Sequence, residues 1–305
     1  MTKFRVISFY TAIFVVLFAL MGLFSKGLNF GLDFTGGYLT EFSTNQPVSL
    51  QAMNEMITLF IADDFQLSSA ENGSYWTVRT PDNSASGNSW LFNFIEAQKI
   101  LAGDIDKALI VTPQDAVYIG SQVGEELINQ GGLALLTALV IILLYLSFRF
   151  EWRLAIGAVA ALFHDVIIVL GIFAWLGLSF DLTILASILA IIGYSLNDSI
   201  IVGDRIREIM KTNKENNIDT IINSAIKTTL VRTLITSGTT LATIVAIWFF
   251  AGDSLHGFAV SLFSGILVGT FSSIAISATL PKLVGLRADY YQQKALEQEA
   301  LCQLP

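Results

Sequence analysis

The sequence predicts a polytopic α-helical membrane protein: six transmembrane helices with a small α+β domain inserted between helices 1 and 2. Three observations carry this. Of 305 residues, 53% are apolar and only 14% charged, far from the roughly 25% charged side chains of soluble domains. Six apolar runs approach or reach the ~20 residues that cross a hydrocarbon core of about 30 Å. Between the first and second runs lies a polar section long enough to fold on its own.

The first run is Phe4–Phe24, preceded by Lys3 and Arg5. A cleaved signal peptide has a shorter apolar core and a small-residue cleavage site after it. This run is long enough to span and no such site follows, so an uncleaved helix is expected over 1–25. The polar section 26–131 comes next. Ser25–Gly131 holds four basic and thirteen acidic side chains, a net of −9. In it, Tyr38–Ser43 and Ser74–Thr80 read as strands. Pro47 and Ser49 introduce a helix with Ser49 as N-cap and Leu50, Met53, Ile57 and Phe60 at helical spacing. Asn83–Ser89 reads as a loop, and a second helix places Leu91, Phe94, Ile95 and Leu101 on one face, with Gly103 as its C-terminal stop. Ala108–Thr112 and Asp115–Ile119 read as two further strands. The strand order does not follow from the sequence.

Five more runs occupy 132–284: Leu133–Phe148, Leu154–Leu176, Leu182–Val202, Leu234–Phe250 and Phe258–Leu280. A tail covers 285–305. Lysine and arginine set the orientation. Thirteen of the seventeen basic residues lie at the N-terminus, after the second run, in a long loop after the fourth, or in the tail. Both termini are therefore expected in the cytoplasm and the acidic domain outside. The single cysteine, Cys302, forbids an intrachain disulfide.

Asp198 is the sharpest chemical signal. A carboxylate inside a membrane helix costs roughly 2.5–3.5 kcal/mol on insertion scales, and such residues pair, face the bundle interior or move protons. It shares a helix face with Ser187, Ile191, Tyr194 and Ser195, and lies roughly 9 Å inside Asp204 at 1.5 Å per residue. Asn197 diverges from it by about 100°. His164 and Asp165, roughly 16 Å beyond Arg153 along the helix, form a second polar pair; it either relays protons or makes interhelical hydrogen bonds. Arg232 opens the fifth run, followed by Thr233, Thr236, Ser237, Thr239, Thr240 and Thr243. It is either an interfacial anchor or the charge partner of Asp198. Ser261, Gly265, Gly269, Ser273 and Ser277 recur every fourth residue, a close-packing face for a helix of this chain or of a partner. Gly31, Asp33, Gly36 and Gly37 lie in the segment after the first run, which is either a turn into the first strand or a hinge between helix and domain.

Conventional enzyme chemistry finds no support. There is no phosphate-binding lysine loop, no HExxH, no paired-cysteine metal site and no G-x-S-x-G elbow, so no catalytic residue, metal or cofactor is expected. No nucleic-acid signature exceeds the positive-inside pattern; membrane lipid is the surrounding the composition demands.

Four segments resemble a known family: GLDFTGG at Gly31–Gly37, FEWRLAIGAVAALFHDV at Phe150–Val166, GYSLNDSIIVGDRIRE at Gly193–Glu208 and RTLITSGTTL at Arg232–Leu241. In this order they resemble the SecD/SecF family of the bacterial Sec protein-export machinery, on its SecF side, over most of the chain. The resemblance implies half of a resistance–nodulation–division transporter core. It implies an inner-membrane subunit driven by the proton-motive force that promotes protein export. It implies SecD as the other half, with the SecYEG channel, YajC, YidC and a translocating polypeptide as partners. It associates Asp198 and Arg232 with proton transfer, and the small-residue face of the sixth helix becomes a candidate dock for SecD. A structural assembly subunit without proton coupling, or a proton-driven exporter of lipids or small molecules, are the competing readings.

Overall fold

The computed structural model describes residues 2–61, 65–70, 73–81, 89–101, 109–212, 217–252, 255–287 and 291. The expected loop at 83–88, the helix stop at Gly103, Ala108, Asp253, Lys294 and Cys302 lie outside them. Among the described residues, six helices are long and apolar enough to cross a membrane. They are α1 (Thr2–Lys26), α5 (Ser121–Arg149), α6 (Trp152–Leu176), α7 (Leu182–Thr212), α8 (Ile218–Phe250) and the run His256–Leu283.

Between α1 and α5 the order is β1 (Asn29–Phe30), a single turn α2 (Leu32–Thr35), β2 (Gly37–Thr44), α3 (Leu50–Thr58), β3 (Gln66–Ala70), β4 (Tyr75–Pro81), α4 (Ser89–Leu101) and β5 (Val111–Ile119). From β2 onward this is β-α-β-β-α-β. The sheet is antiparallel in the order β3-β4-β2-β5, the ferredoxin-like arrangement. Ser49 caps α3 as expected, its Oγ accepting from the Ala52 amide. Phe42, Trp76 and Val78 from the strands bury against Met53, Ile57, Trp90, Leu91 and Phe94 from the helices. Leu50 is the exception to the predicted face and remains exposed; it is the first residue of its helix, ahead of the turn that meets the sheet.

Two expected strands at the end of the domain are one. Pro113 does not divide β5, because β5 is an edge strand and proline is tolerated where its missing N–H faces no neighbour. The register instead shifts opposite Glu41: Thr40 pairs with Ala116 but Phe42 with Pro113, so an extra residue of β5 is accommodated as a bulge. β3 escaped the sequence reading; its QLSSA has only one large apolar residue.

The helical region has α6 at its centre, packed on α1, α7 and the sixth helix. α1 is built into the bundle rather than standing apart. Ala12 and Ala19 are buried, and a Cβ on Gly171 would fall 2.4 Å from that of Ala19. Trp175 donates from Nε1 to the Phe18 carbonyl at 3.0 Å and stacks on the Phe18 ring. Near the N-terminus Arg5 is buried and pairs with Asp219, which also accepts from Lys282 at 2.6 Å. The positive-inside count treated Arg5 as an interfacial anchor only; the structure uses it to tie α1 to α8 and to the end of the sixth helix.

The long loop expected after the fourth run is mostly helix. α7 continues to Thr212 and α8 begins at Ile218. Ile206, Ile209, Met210, Ile221, Ile222, Ala225 and Ile226 keep helical spacing there and bury against Leu146, Phe150 and Leu154. The sixth helix, expected to be continuous, changes pitch: α9 (His256–Ser272) is followed by a π-helical turn (Ser273–Ser277) and then by the short α10 (Leu280–Leu283). A four-residue step drifts by about 40° per repeat on an α-helix; the wider π turn, bonded i→i+5, winds more slowly. Ser261, Gly265 and Gly269 on α9, and Ser273 and Ser277 in the π turn, are all buried.

That burial lies within this chain. Ser261 meets Ser187 of α7 at 2.5 Å, Gly265 faces Ile191, and Gly269 faces Ser195 and Asp165. The stripe is filled by α6 and α7 and offers no dock for SecD, which corrects that expectation. One consequence is measurable. A Cβ on Gly157 of α6 would lie 2.6 Å from the Ser277 carbonyl oxygen. Gly157→Ala is expected to cost about 1–3 kcal/mol, read as lower thermal stability in detergent. Gly132→Ala, inside α5 where a Cβ meets nothing within 4 Å, is expected to hold stability or to raise it by up to about 1 kcal/mol.

Candidate functional site

Two carboxylates lie deep among the membrane helices, and their surroundings differ. Asp165, on α6, is 1% exposed. Its Oδ2 accepts from Ser195 Oγ of α7 at 2.5 Å and from Ser272 Oγ of α9 at 2.9 Å. Its Oδ1 lies 2.9 Å from His164 Nδ1. His164 and Asp165, adjacent on α6, touch each other directly. Gly269 leaves room for the knot, since a Cβ there would lie 3.4 Å from Asp165 Oδ2. Three helices thus close on one carboxylate whose hydrogen bonds are supplied by the bundle.

Asp198, on α7, is also 1% exposed, but neither carboxylate oxygen has a hydrogen-bond partner among the described residues. It lies one helical turn after Ser195, on the buried face with Ser187, Ile191 and Ser199. A buried charged group without a partner loses solvation and gains nothing in return, so this position is chemically different from that of Asp165. Arg232 lies on the neighbouring α8 and forms no ion pair with Asp198 among the described residues. Arg232 is exposed and lines a cleft of about 700 Å³ with Arg149, Asp204, Arg205, Arg207 and Lys211. The cleft opens at the end of α7 beyond Asp198. Asn197 is exposed on the opposite side of α7 from the buried face.

Other polar contacts run between the same helices. Tyr194 donates to Ser237 Oγ at 3.3 Å, and Ser237 meets Thr270 at 2.7 Å, linking α7, α8 and α9. Most of the threonines after Arg232 do not face polar neighbours: Thr236, Thr239 and Thr243 bond to carbonyls of their own helix. Ser272 was missed by the sequence reading because it lies one residue off the four-residue stripe. Its signal is that it neighbours Ser273, which puts a second hydroxyl toward α6.

At the other end of α7, the Gly31–Gly37 segment is docked onto the bundle. Gly31 donates its N–H to the Phe180 carbonyl at 2.8 Å, and β1 pairs in parallel with a two-residue strand β6 (Ser179–Phe180) in the α6–α7 connection. Asp33 Oδ2 accepts from the Leu182 amide at 3.1 Å. Gly36 and Gly37 alone in this segment have positive φ, 71° and 143°.

Comparison with known proteins bears on both ends. Residues 105–287 match the C-terminal part of the protein export membrane proteins SecD/SecF, and residues 22–48 match the SecD/SecF GG motif. The protein translocase subunit SecF of Vibrio alginolyticus is 41% identical over 297 residues, covering 96% of this chain and 92% of the relative. The chain belongs to the SecD/SecF family. SecF of Pseudomonas aeruginosa is 40% identical over 276 residues, covering 90% of this chain and 87% of its own. The crystal structure of SecDF from Thermus thermophilus, a translocon-associated membrane protein, superposes with a TM-score of 0.72 at 32% identity; it covers 90% of this chain, which spans 37% of that longer one. SecDF in a super-membrane-facing form gives a TM-score of 0.69 at 30% identity, over 98% of this chain and 39% of its own. As in its SecF relatives, the chain is a multi-pass membrane protein. The GG motif of the family contains the docked Gly31–Gly37 turn.

The contrast between the carboxylates predicts opposite stability effects. Asp165→Ala removes three hydrogen bonds, worth roughly 0.6–2 kcal/mol each in a membrane bundle, and is expected to lower the unfolding free energy of the purified protein by about 2–4 kcal/mol. Asp198→Asn removes no partner and relieves an unpaired carboxylate; stability is expected to hold or to rise by on the order of 1 kcal/mol. Thermal or denaturant unfolding in detergent distinguishes the two.

Proposed function

We propose that this subunit uses the proton-motive force, together with SecD, to promote protein export across the bacterial cytoplasmic membrane. The observation that carries the proposal is Asp198: a buried carboxylate in a membrane helix with no hydrogen-bond partner among the described residues. A group held for packing alone is expected to be satisfied, as Asp165 is. A group that must gain and lose a proton needs a site where neither form is locked in place.

In this reading the positive-inside distribution sets the sides. The ferredoxin-like domain is extracytoplasmic, both termini are cytoplasmic, and the basic cleft beyond Asp198 faces the cytoplasm. Asp198 takes a proton arriving from outside and becomes neutral. Its release toward the cleft restores the carboxylate, whose negative charge Arg232 then favours. The two forms interact differently with α8 and with the partner, and only such a difference can bias a helix arrangement. His164 and Asp165 hold α6, α7 and α9 in register beside the titrating position.

SecD supplies the other half. The exposed side of α7 next to Asp198 is small, with Ala186, Ala190, Gly193 and Asn197 at helical spacing. The exposed side of α8 carries Arg232, Thr239, Ala242, Thr243 and Ala246. Small residues and hydroxyls on a membrane-facing surface suit close approach of a second set of helices. This pair of faces, rather than the stripe on α9, is the proposed SecD contact. SecYEG, YajC, YidC and the translocating chain are further proposed partners, with no metal or organic cofactor in the cycle.

The test is protein export in cells carrying Asp198→Asn, with abundance and SecD co-purification measured in parallel. Intact assembly with the proton-motive-force-dependent component of export reduced to that of a strain lacking the subunit is the expected result. Normal export would overturn the proposal and leave an assembly subunit.

A further inference from the structure

The α6–α7 connection and the Gly31–Thr35 turn form one joint. Phe34 is buried and stacks on Phe180 with ring centroids 5.8 Å apart. Gly31 is glycine because a Cβ would meet Ser179 Oγ at 3.1 Å, Asp181 Cβ at 3.2 Å and the Phe180 carbonyl oxygen at 3.3 Å. From the other side Gly124 of α5 closes on the same turn, where a Cβ would fall 2.3 Å from the Phe34 carbonyl oxygen. The turn is therefore held by α5 and by the entry to α7 together.

The first turn of α7 has orphan amides that need acceptors. Asp181 Oδ1 takes the Ile184 N–H at 3.0 Å, a local cap. The Leu182 N–H goes instead to Asp33 Oδ2, 149 residues away in sequence. Both carboxylates lie at the end of the helix where negative charge is favoured by its dipole. Asp33 thus caps the helix that carries Asp198 from a segment that continues, through Gly36 and Gly37, directly into β2. That strand is interior to the domain sheet, paired with β4 on one side and β5 on the other.

We infer that Asp33 is a positioning residue that couples α7 to the external domain. Gly31–Thr35 moves with the helix bundle, and the change of direction falls at Gly36 and Gly37, the two positions whose φ favours glycine. The expected pivot thereby narrows from the whole Gly31–Gly37 segment to its last two residues. A displacement of α7 is delivered to the middle of the sheet through one charge-assisted hydrogen bond and the β1–β6 pair. The inference rests on the reading that α7 responds to protonation of Asp198.

The experiment uses the subunit with its SecD partner reconstituted in proteoliposomes, in a Cys302→Ser background. Environment-sensitive labels are placed in separate preparations at Thr212→Cys, at the exposed end of α7 away from the proposed SecD contact, and at Asn54→Cys, on the exposed side of α3. In otherwise unaltered protein an imposed proton gradient changes both signals. In Asp33→Ala the α7 signal still responds, while the response of the domain label falls by about five- to tenfold, within the usual range of inter-site coupling. Asp33→Asn keeps an acceptor oxygen and restores most of the domain response. Leu182→Pro removes the donor from the other side and is compatible with the first position of a helix; it reproduces Asp33→Ala, and the double variant is no worse than either. Equal responses of both labels in Asp33→Ala and in Leu182→Pro would overturn the inference. Loss of both responses in Asp33→Ala and in Leu182→Pro would also overturn it, because the residue would then only hold the fold. Silence of both labels in the unaltered protein, or response in Asp198→Asn, would instead overturn the proton reading on which it rests.

Discussion

The bundle depends on the carboxylate of Asp165. In hydrocarbon there is no water to complete a polar group, so each must find its partners inside the protein. Asp165 finds them on two other helices, Ser195 on α7 and Ser272 on α9, and on its own neighbour His164. Satisfying one acceptor fixes the rotation of three helices about their axes. Glycine and serine at the contact, Gly269 and Ser195 in particular, bring the backbones close enough for those short side chains to reach. The π-helical turn after Ser272 belongs to the same arrangement, since it keeps Ser273 and Ser277 on the buried side beyond the knot.

Against that fixed frame the isolation of Asp198 acquires meaning. It lies one turn along α7 from Ser195, so its position is set by the same register that satisfies Asp165. The bundle brings a second carboxylate to an equally buried place with no hydrogen-bond partner among the described residues. Hydroxyls are available on the neighbouring positions: Ser199, next to Asp198 on α7, and Thr233, next to Arg232 on α8, are buried with oxygens that have no hydrogen-bond partner among the described residues. A bundle selected only for packing would pair such groups or replace them with apolar ones. Leaving them open is coherent if Asp198 alternates between two protonation states and a second set of helices completes the surface.

Much of this was legible in one sequence because a bilayer restricts the choices. Spans follow from length and apolarity, and a lone carboxylate in the fourth stands out without any partner being known. What escaped the reading depends on distance along the chain. Ser272 is one of several serines in its helix, and only the fold brings it to Asp165. Arg5 carries the same charge as any interfacial anchor, and only the return of α8 places Asp219 beside it. The strand order of the domain is set by which edges meet, and QLSSA bears almost no apolar pattern to mark it as β3. The small-residue stripe on α9 was correctly read as a packing face, but periodicity cannot say whether the surface it packs on belongs to the same chain.

The joint at Asp33 illustrates why a motif can be visible and its use hidden. Three glycines in GLDFTGG announce unusual backbone, yet they serve different ends. Gly31 admits the α6–α7 connection, whereas Gly36 and Gly37 supply the positive φ that turns the chain into β2. The aspartate between them looks like a turn residue and is instead the cap of a helix that begins 149 positions later. A cap made locally would hold the end of α7 whatever the domain did. The Leu182 amide is capped instead from the turn that leads into the domain, so that amide is satisfied only while the turn and the helix end keep their relation. Any rearrangement of α7 must carry Asp33 with it or break a charge-assisted hydrogen bond at a helix terminus.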